Sequence, residues 1–207
     1  MKQRIMFIGD SITWWGMSED DSIGTGYVRL LHDYLKISYP DRNLEIINKG
    51  ISGNRVIDLA ERWDRDVISY LPDIVSISIG INDVWRQVDS PDIEQVLPNR
   101  FEEVLEQLLI TTKQKTNATI VLMEPTVISE DIQGKGNIML KPYVDIMHQL
   151  AEKYHAVVVP THQAFLAFLT YKKEFPLTID GVHMNTTGNM LMAKTWIQAT
   201  NELLGNN

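Results

Sequence analysis

The chain has 207 residues, of which 44% are hydrophobic and 22% are charged, and its formal net charge is -8. These values are typical of a globular protein with a substantial core, so the sequence predicts a single domain over residues 1–207. The acidic balance argues against nucleic acid and anionic membranes as partners, because both select a basic surface. The absence of cysteine excludes disulfides, a thiol nucleophile and zinc sites built on thiolates.

The N-terminal segment "MKQRIMFIGDS" has basic residues followed by four apolar ones. A secretory signal needs an apolar region of about 7–15 residues, so we interpret this segment as the first strand of the fold. No window approaches the roughly 18 apolar residues of a membrane span. We therefore expect a cytoplasmic location.

Short apolar segments rich in Ile and Val alternate with amphipathic segments along the chain. The predicted strands are Arg4–Ile8, Leu44–Asn48, Ile74–Ile79, Thr119–Met123 and Ala156–Pro160. The predicted helices are Tyr27–Ile37, Val56–Ser69, Asn99–Lys113, Leu140–Tyr154 and about Thr187–Leu204. Mostly unbroken apolar strands between helices predict a parallel sheet that is covered on both faces. The longest irregular stretch, Ile128–Asn137, is either a mobile loop or an ordinary connection.

Small and polar residues follow each of the first three predicted strands. The segments are "GDSIT" at Gly9–Thr13, "NKGISGNR" at Asn48–Arg55 and "GINDVWR" at Gly80–Arg86. Ligands of a parallel sheet gather at the carboxyl ends of its strands, so these segments are candidates for a functional site. Taken singly, each segment is also compatible with an ordinary turn or helix cap.

A fourth segment, "DGVHMN", lies near the C-terminus and contains Asp180 and His183. At this spacing the carboxylate can orient the imidazole through a ring N–H. The other histidines are His32, His148 and His155, which fall within or at the ends of predicted helices, and His162, which begins another helix. We expect solvated or capping roles for all four. No HExxH pattern or acidic cluster predicts a metal site.

Together, the four segments supply the groups of an acyl-transfer site. Ser11 needs a base to become a nucleophile, and His183 can be that base while Asp180 fixes its tautomer. The oxyanion that forms during acyl transfer needs preorganised donors, and the Gly53 N–H and the Asn82 side-chain amide are suitable.

In this order, the four segments resemble the motifs of the SGNH hydrolases, also called the GDSL esterase/lipase family, over most of the chain. The resemblance implies that Ser11 is the nucleophile and that its backbone N–H is one oxyanion donor beside Gly53 and Asn82. It implies Asp180 and His183 as the acid and base. It also implies a flavodoxin-like three-layer α/β/α fold, whose central parallel sheet has about five strands in the order 2-1-3-4-5, with no metal and no cofactor.

A narrower resemblance connects "GTGYV", "NKGISGN", "RWDRDV" and "GINDVWRQ" with the branch that contains bacterial acetyl-xylan and related carbohydrate acetylesterases. It implies a small-molecule ester substrate such as an acetylated sugar, and a homo-oligomer. The chain departs from the family at Met184, where many members have proline, and at Trp14 and Trp15, which replace residues that are often polar. These departures leave the catalytic set intact and the exact substrate open.

Several residues beside the predicted catalytic groups are candidates for substrate binding. They are Trp14, Trp15, Arg55, Trp85 and Arg86. A tryptophan at these positions can stack on a sugar face, or it can belong to the core. Arg55 can contact substrate or form an ion pair with Asp58, and we favour the ion pair.

Two other functions are compatible with parts of this pattern. A thioesterase or lysophospholipase of the same fold would need a long apolar acyl channel, which the Trp- and Arg-containing segments do not indicate. A flavodoxin-like module that binds phosphate through "GDSIT" would need a loop richer in Gly, Ser or Thr, and Asp10 would repel the anion. We expect Asp10 to anchor the Ser11 loop instead.

Overall fold

The computed structural model describes residues 2–172 and 174–205. Its strands are β1 (Gln3–Gly9), β2 (Leu44–Gly50), β3 (Ile74–Ser78), β4 (Thr119–Met123) and β5 (Val157–Val159). Its α-helices are α1 (Ser11–Trp14), α2 (Tyr27–Ser38), α3 (Val56–Asp66), α4 (Ile81–Asp89), α5 (Pro98–Lys115), α6 (Lys135–Tyr154), α7 (Thr161–Tyr171) and α8 (Thr186–Gly205). A short 3₁₀ helix follows α3 at Ile68–Tyr70.

The five strands form one parallel sheet in the order β2-β1-β3-β4-β5. This result confirms the predicted fold class and strand order. The central strand β3 is buried along its whole length, as its unbroken apolar sequence predicts. The edge strand β2 instead alternates buried and half-buried residues, because successive side chains point to opposite faces of the sheet and one face is covered more completely there.

Helices cover both faces of the sheet, and a buried tryptophan marks each layer. On one side α8 packs against α2 and α7, and Trp196 of α8 donates a hydrogen bond to Ser76 Oγ in β3. On the other side α5 packs against α3 and α6, and Trp63 of α3 donates to Thr112 Oγ1 of α5. Both indole N–H groups are thus satisfied inside an apolar core, as buried tryptophans require. Among the described residues, none of the helices combines the length and apolarity needed to cross a bilayer.

Three details differ from the sequence prediction. Helix α6 begins at Lys135, inside the stretch predicted to be irregular, and the buried Asn137 side chain bonds to the backbone of Ile128 and Ser129. Met190, an apolar residue within the last predicted helix, is exposed. His162 is buried rather than solvated, because its ring packs at the start of α7 and bonds to the Thr126 carbonyl.

Candidate active site

The candidate nucleophile lies in a tight turn between β1 and α1. Ser11 is the first residue of α1, and the Asp10 carboxylate caps this helix by accepting a hydrogen bond from the Ile12 N–H at 2.9 Å. Gly9 is required before the cap, because a Cβ there would lie 2.2 Å from the Ser78 carbonyl oxygen of the neighbouring strand. The short turn therefore holds the Ser11 side chain at the carboxyl edge of the sheet, and Asp10 anchors it as expected.

Ser11, His183 and Asp180 form a continuous hydrogen-bonded chain. Ser11 Oγ lies 2.9 Å from His183 Nε2, and His183 Nδ1 lies 2.7 Å from Asp180 Oδ2. The second carboxylate oxygen, Asp180 Oδ1, accepts from the backbone N–H groups of Val182 and His183. The indole of Trp15 stacks on the imidazole, with ring centroids 5.1 Å apart. The imidazole is thus held by a carboxylate on one edge and an aromatic ring on one face.

The electrostatics of Asp180 suit the orientation of a histidine. Burial acts against its charge, but hydrogen bonds from the His183 ring and from two backbone N–H groups outweigh that effect and lower the pKa of Asp180 to about 2. An ionised Asp180 accepts the Nδ1 proton of His183, which leaves Nε2 as the acceptor that faces Ser11 Oγ. This arrangement lets the imidazole take a proton from the serine.

Gly53 and Asn82 line the same cavity as His183. Gly53 adopts a φ of 81°, a left-handed conformation in which a side chain would be strained. Asn82 is in the first turn of α4, and its Nδ2 donates one hydrogen bond to the Asn54 carbonyl at 3.0 Å. An amide nitrogen carries two protons, so the second remains to be donated toward the cavity.

The cavity has a volume of about 300 Å³ and opens to solvent. Its lining residues are Ser11, Ser52, Gly53, Asn82, Trp85, Arg86, Asp180, Val182 and His183. The structure therefore brings together all five residues predicted as catalytic or oxyanion-binding groups, which come from four separate segments of the chain.

The predicted substrate-binding residues separate into two groups. Trp85 and Arg86 line the cavity, and Arg86 also forms an ion pair with Asp89 at 2.6 Å. Trp14, Trp15 and Arg55 are outside this lining. Trp14 is exposed, whereas Trp15 contacts His183 from behind and lines a separate depression.

Arg55 is held away from the cavity by partners on its own side of the loop. Its Nη1 donates to the Glu94 carbonyl at 2.6 Å, and its Nε lies 3.5 Å from Asp58 Oδ2. The favoured ion pair is therefore present. Ser52 and Val182 also line the cavity, although the sequence analysis assigned them no role. The position of Ser52 inside the segment "GISGN", next to Gly53, could have indicated that it lies at the site.

Two buried carboxyl groups, Asp10 and Asp83, are the sequence neighbours of Ser11 and Asn82. Burial raises the pKa of each to about 7, and the charge of Asp10 adds to the rise at Asp83. Asp83 Oδ1 accepts from the Val56 N–H at 3.0 Å, whereas its Oδ2 is buried and has no partner among the described residues. Asp83 thus joins the start of α3 to the start of α4, and the positive charge of Arg55 offsets only part of the effect of burial on its pKa.

The raised pKa values predict a loss of stability as pH rises. In the unfolded chain these carboxyls ionise near pH 4, so between about pH 4 and pH 7 the unfolded chain binds fewer protons and the free energy of unfolding falls. Asp83→Asn removes one ionisation and keeps an acceptor for Val56. We expect its free energy of unfolding to exceed the wild-type value by about 1–3 kcal/mol near pH 8 and by less near pH 5, measured by urea denaturation.

The matched control for this prediction is Asp145→Asn, which changes an exposed carboxylate on α6. Its difference from the wild type should be the same near both pH values. Equal pH dependence of stability in Asp83→Asn and the wild type would contradict the assignment of a raised Asp83 pKa.

Comparison with known proteins agrees with this geometry. A model of the GDSL-like lipase/acylhydrolase family matches residues 7–191. The chain is 37% identical to an acetylxylan esterase of Geobacillus stearothermophilus over 204 residues, which cover 95% of this chain and 93% of that relative. The crystal structure of Axe2, an acetylxylan esterase from the same organism, matches with a TM-score of 0.88 at 36% identity, covering 99% of this chain and 95% of that one.

A second similar structure is LAE5, described as an alpha/beta hydrolase enzyme from the metagenome of Lake Arreo in Spain. It matches with a TM-score of 0.87 at 33% identity, covering 99% of this chain and 97% of that one. Solved catalytic mutants of Axe2 replace a serine, an aspartate or a histidine with alanine. This chain belongs to the GDSL-like lipase/acylhydrolase family and is a carboxylic ester hydrolase of the Ser-His-Asp type.

Proposed function

We propose that the chain removes acetyl groups from carbohydrate esters through an acyl-enzyme formed on Ser11. The observation that carries this proposal is the hydrogen-bonded chain from Ser11 Oγ through His183 to Asp180 at the edge of a small open cavity. Similarity to acetylxylan esterases along almost the whole chain supports acetylated carbohydrate as the substrate class.

In the acylation step, His183 Nε2 takes the proton of Ser11 as Oγ attacks the carbonyl carbon of the ester. The carbonyl oxygen becomes an oxyanion, which accepts hydrogen bonds from the N–H groups of Ser11 and Gly53 and from Asn82 Nδ2. Asp180 stabilises the imidazolium that forms. When the bond between the acyl carbon and the alcohol oxygen breaks, the imidazolium donates its proton to the departing sugar hydroxyl.

In the deacylation step, the same groups act on water. His183 Nε2 takes a proton from a water molecule as its oxygen attacks the acyl carbon of the Ser11 ester. The second oxyanion is held by the same donors, and it collapses with cleavage of the bond to Ser11 Oγ. The proton returns from His183 to Ser11, and acetic acid leaves and releases its proton to solvent as acetate.

The cavity favours a short acyl group over a long one. A volume of about 300 Å³ must hold the acyl group and the ester oxygens, and polar groups line it on several sides. Trp85 and Arg86 lie at this cavity, where an indole can stack on a sugar ring and a guanidinium can bind its hydroxyls. A thioesterase or lysophospholipase would need an apolar channel here.

The preferred length of the acyl chain distinguishes an acetylesterase from a thioesterase or lysophospholipase. We expect kcat/KM for p-nitrophenyl acetate to exceed that for p-nitrophenyl octanoate by about 10-fold or more, because a small cavity lined by polar groups does not accommodate the longer chain. The leaving group is the same in both esters, so the comparison isolates the acyl side. A higher kcat/KM for octanoate would contradict the acetylesterase proposal and favour the alternative.

Four further properties of the chain are predicted from its sequence alone. A single domain over residues 1–207, a homo-oligomer and a cytoplasmic location stay predictions, as does the absence of nucleic-acid and membrane partners. The phosphate-binding module has the weakest support, because Ser11 Oγ is engaged by His183 and the turn contains the Asp10 carboxyl.

A further inference from the structure

Arg62 is a buried cation that the catalytic steps above do not use. It lies in α3, within the segment "RWDRDV", and its side chain is 6% exposed. Its hydrogen bonds are Nε to Asn54 Oδ1 at 2.8 Å, Nη1 to the Lys49 carbonyl at 2.9 Å and to Asp66 Oδ2 at 3.0 Å, and Nη2 to the Gly9 carbonyl at 3.1 Å. One guanidinium therefore joins β1, β2 and the loop that follows β2.

Two of these partners adjoin the groups proposed to bind the oxyanion. The Gly9 carbonyl belongs to the peptide that joins Gly9 to Asp10. The next peptide along the chain carries the Ser11 N–H, so both lie in the same turn. Asn54 follows Gly53 directly, so fixing the Asn54 side chain restrains the loop that carries the Gly53 N–H.

Asn54 also connects Arg62 to the third proposed donor. Its side-chain oxygen accepts from Arg62, while its backbone carbonyl accepts from Asn82 Nδ2 at 3.0 Å. The hydrogen bond to Asn54 orients the Asn82 amide, because it uses one of the two Nδ2 protons and directs the other toward the cavity. Arg62 thus contacts the Ser11 turn and the Gly53–Asn54 loop directly, and it reaches Asn82 through Asn54.

The charge environment explains why an arginine can occupy this place. Burial lowers the pKa of Arg62, and the Asp66 carboxylate opposes that effect. Asp66 is shared with Arg65, whose side chain is 71% exposed and lies 2.9 Å from it. A planar guanidinium can serve acceptors in several fixed directions at once, whereas a lysine ammonium has one nitrogen to offer.

We propose that Arg62 is a positioning residue for the oxyanion hole, which holds the Ser11 turn and the Gly53–Asn54 loop in register. The inference rests on the proposed roles of Ser11, Gly53 and Asn82. Preorganised donors act on charge that develops in the transition state, so loosening them lowers kcat and leaves KM nearly unchanged. Misplacement by about 1 Å can cost about 100-fold in rate.

The test compares Arg62→Lys with Arg65→Lys. The second variant makes the same charge-conserving substitution at an exposed residue that also pairs with Asp66. For each protein, the active fraction is titrated with a p-nitrophenyl alkylphosphonate, whose burst of p-nitrophenol counts reactive serines. The kcat and KM for p-nitrophenyl acetate are then calculated per titrated site. Asn54→Ala, which removes one acceptor of Arg62 from a half-buried position, serves as a milder second variant.

We expect kcat per site to fall by about 10- to 100-fold in Arg62→Lys and by about 10-fold in Asn54→Ala, with KM within about threefold of the wild type. Arg65→Lys should match the wild type. The double variant Arg62→Lys/Asn54→Ala should lose less than the product of the single losses, because both changes act on one contact.

Three results would overturn the inference. The first is an unchanged kcat per site in Arg62→Lys and Asn54→Ala, with only the active fraction or Tm reduced. The second is a rise in KM with kcat intact, and the third is an equal loss of kcat in Arg65→Lys. If Arg62→Lys does not fold, Asn54→Ala alone decides between these outcomes. If the Ser11→Ala variant retains esterase activity, the proposed function is overturned as well. If Ser11→Ala abolishes activity but Arg62→Lys and Asn54→Ala leave kcat per site unchanged, only the role of Arg62 is overturned.

Discussion

Ser11→Ala is expected to lower kcat/KM for p-nitrophenyl acetate by about 10⁴-fold or more, because it removes the hydroxyl that lies 2.9 Å from His183 Nε2. The substitution removes one atom from a residue that is 7% exposed, so the fold and the cavity should persist. Rates are measured spectrophotometrically over several enzyme concentrations, after subtraction of spontaneous hydrolysis.

A matched serine elsewhere controls for nonspecific effects of the change. Ser69→Ala alters an exposed serine that bonds to the Arg65 carbonyl, and its rate should equal that of the wild type. Comparable rates in Ser11→Ala and Ser69→Ala would contradict Ser11 as the nucleophile. Equal Tm values for the two variants would show that any loss of rate in Ser11→Ala is chemical.

Asp180→Asn is expected to lower kcat/KM by about 10³- to 10⁴-fold while preserving the shape of the site. The asparagine oxygen can still accept from the N–H groups of Val182 and His183, which now bond to Asp180 Oδ1. An amide in place of Oδ2 donates to His183 Nδ1, so the ring proton moves to Nε2 and the ring can no longer accept the proton of Ser11.

The control for this second variant is an exposed aspartate, changed in the same way. Asp145→Asn on α6 alters the net charge by the same amount and should leave kcat/KM unchanged. The wild-type Asp180 carboxyl, with its pKa of about 2, stays ionised across the neutral range, so its own titration should not contribute to the pH profile there. A loss below about 10-fold in Asp180→Asn would contradict its role in fixing the histidine tautomer.

The sheet and the clustering of the site follow from patterns that a sequence carries. Ile-rich segments such as Ile74–Ser78 predict buried strands, and parallel strands place their carboxyl ends at one edge. The register confirms this, because Gly9 pairs with Gly50 on one side and Ser78 on the other. The first three polar segments therefore had to meet.

The short helices beside the site were less predictable. Helix α1 spans only Ser11–Trp14, which is too short for a helical period, and its Gly-Asp-Ser start is equally typical of a turn. Helix α4 begins at Ile81, so the segment "GIND" is a helix start rather than an isolated turn. Helix α1 packs against β1 and β2, whereas α4 packs against α6, and local sequence does not encode either contact.

The role of Arg62 illustrates contacts that sequence spacing cannot reveal. In the sequence it is one charged residue of an amphipathic helix, where the ordinary expectation is a solvated side chain. Its partners include the carbonyls of Gly9 and Lys49, which are backbone atoms of two other elements. Backbone acceptors leave no residue-type signal, so only the folded structure identifies them.

The central claim, an acyl-enzyme on Ser11, is tested most directly by mass spectrometry after reaction with an alkylphosphonate ester, which an activated serine attacks as it attacks an acyl ester. We predict one phosphonyl group per chain, located on the peptide that contains Ser11, with loss of esterase activity in proportion to labelling and no labelling of Ser11→Ala. Full esterase activity with unmodified Ser11, or inactivation by label at a different residue, would contradict the account.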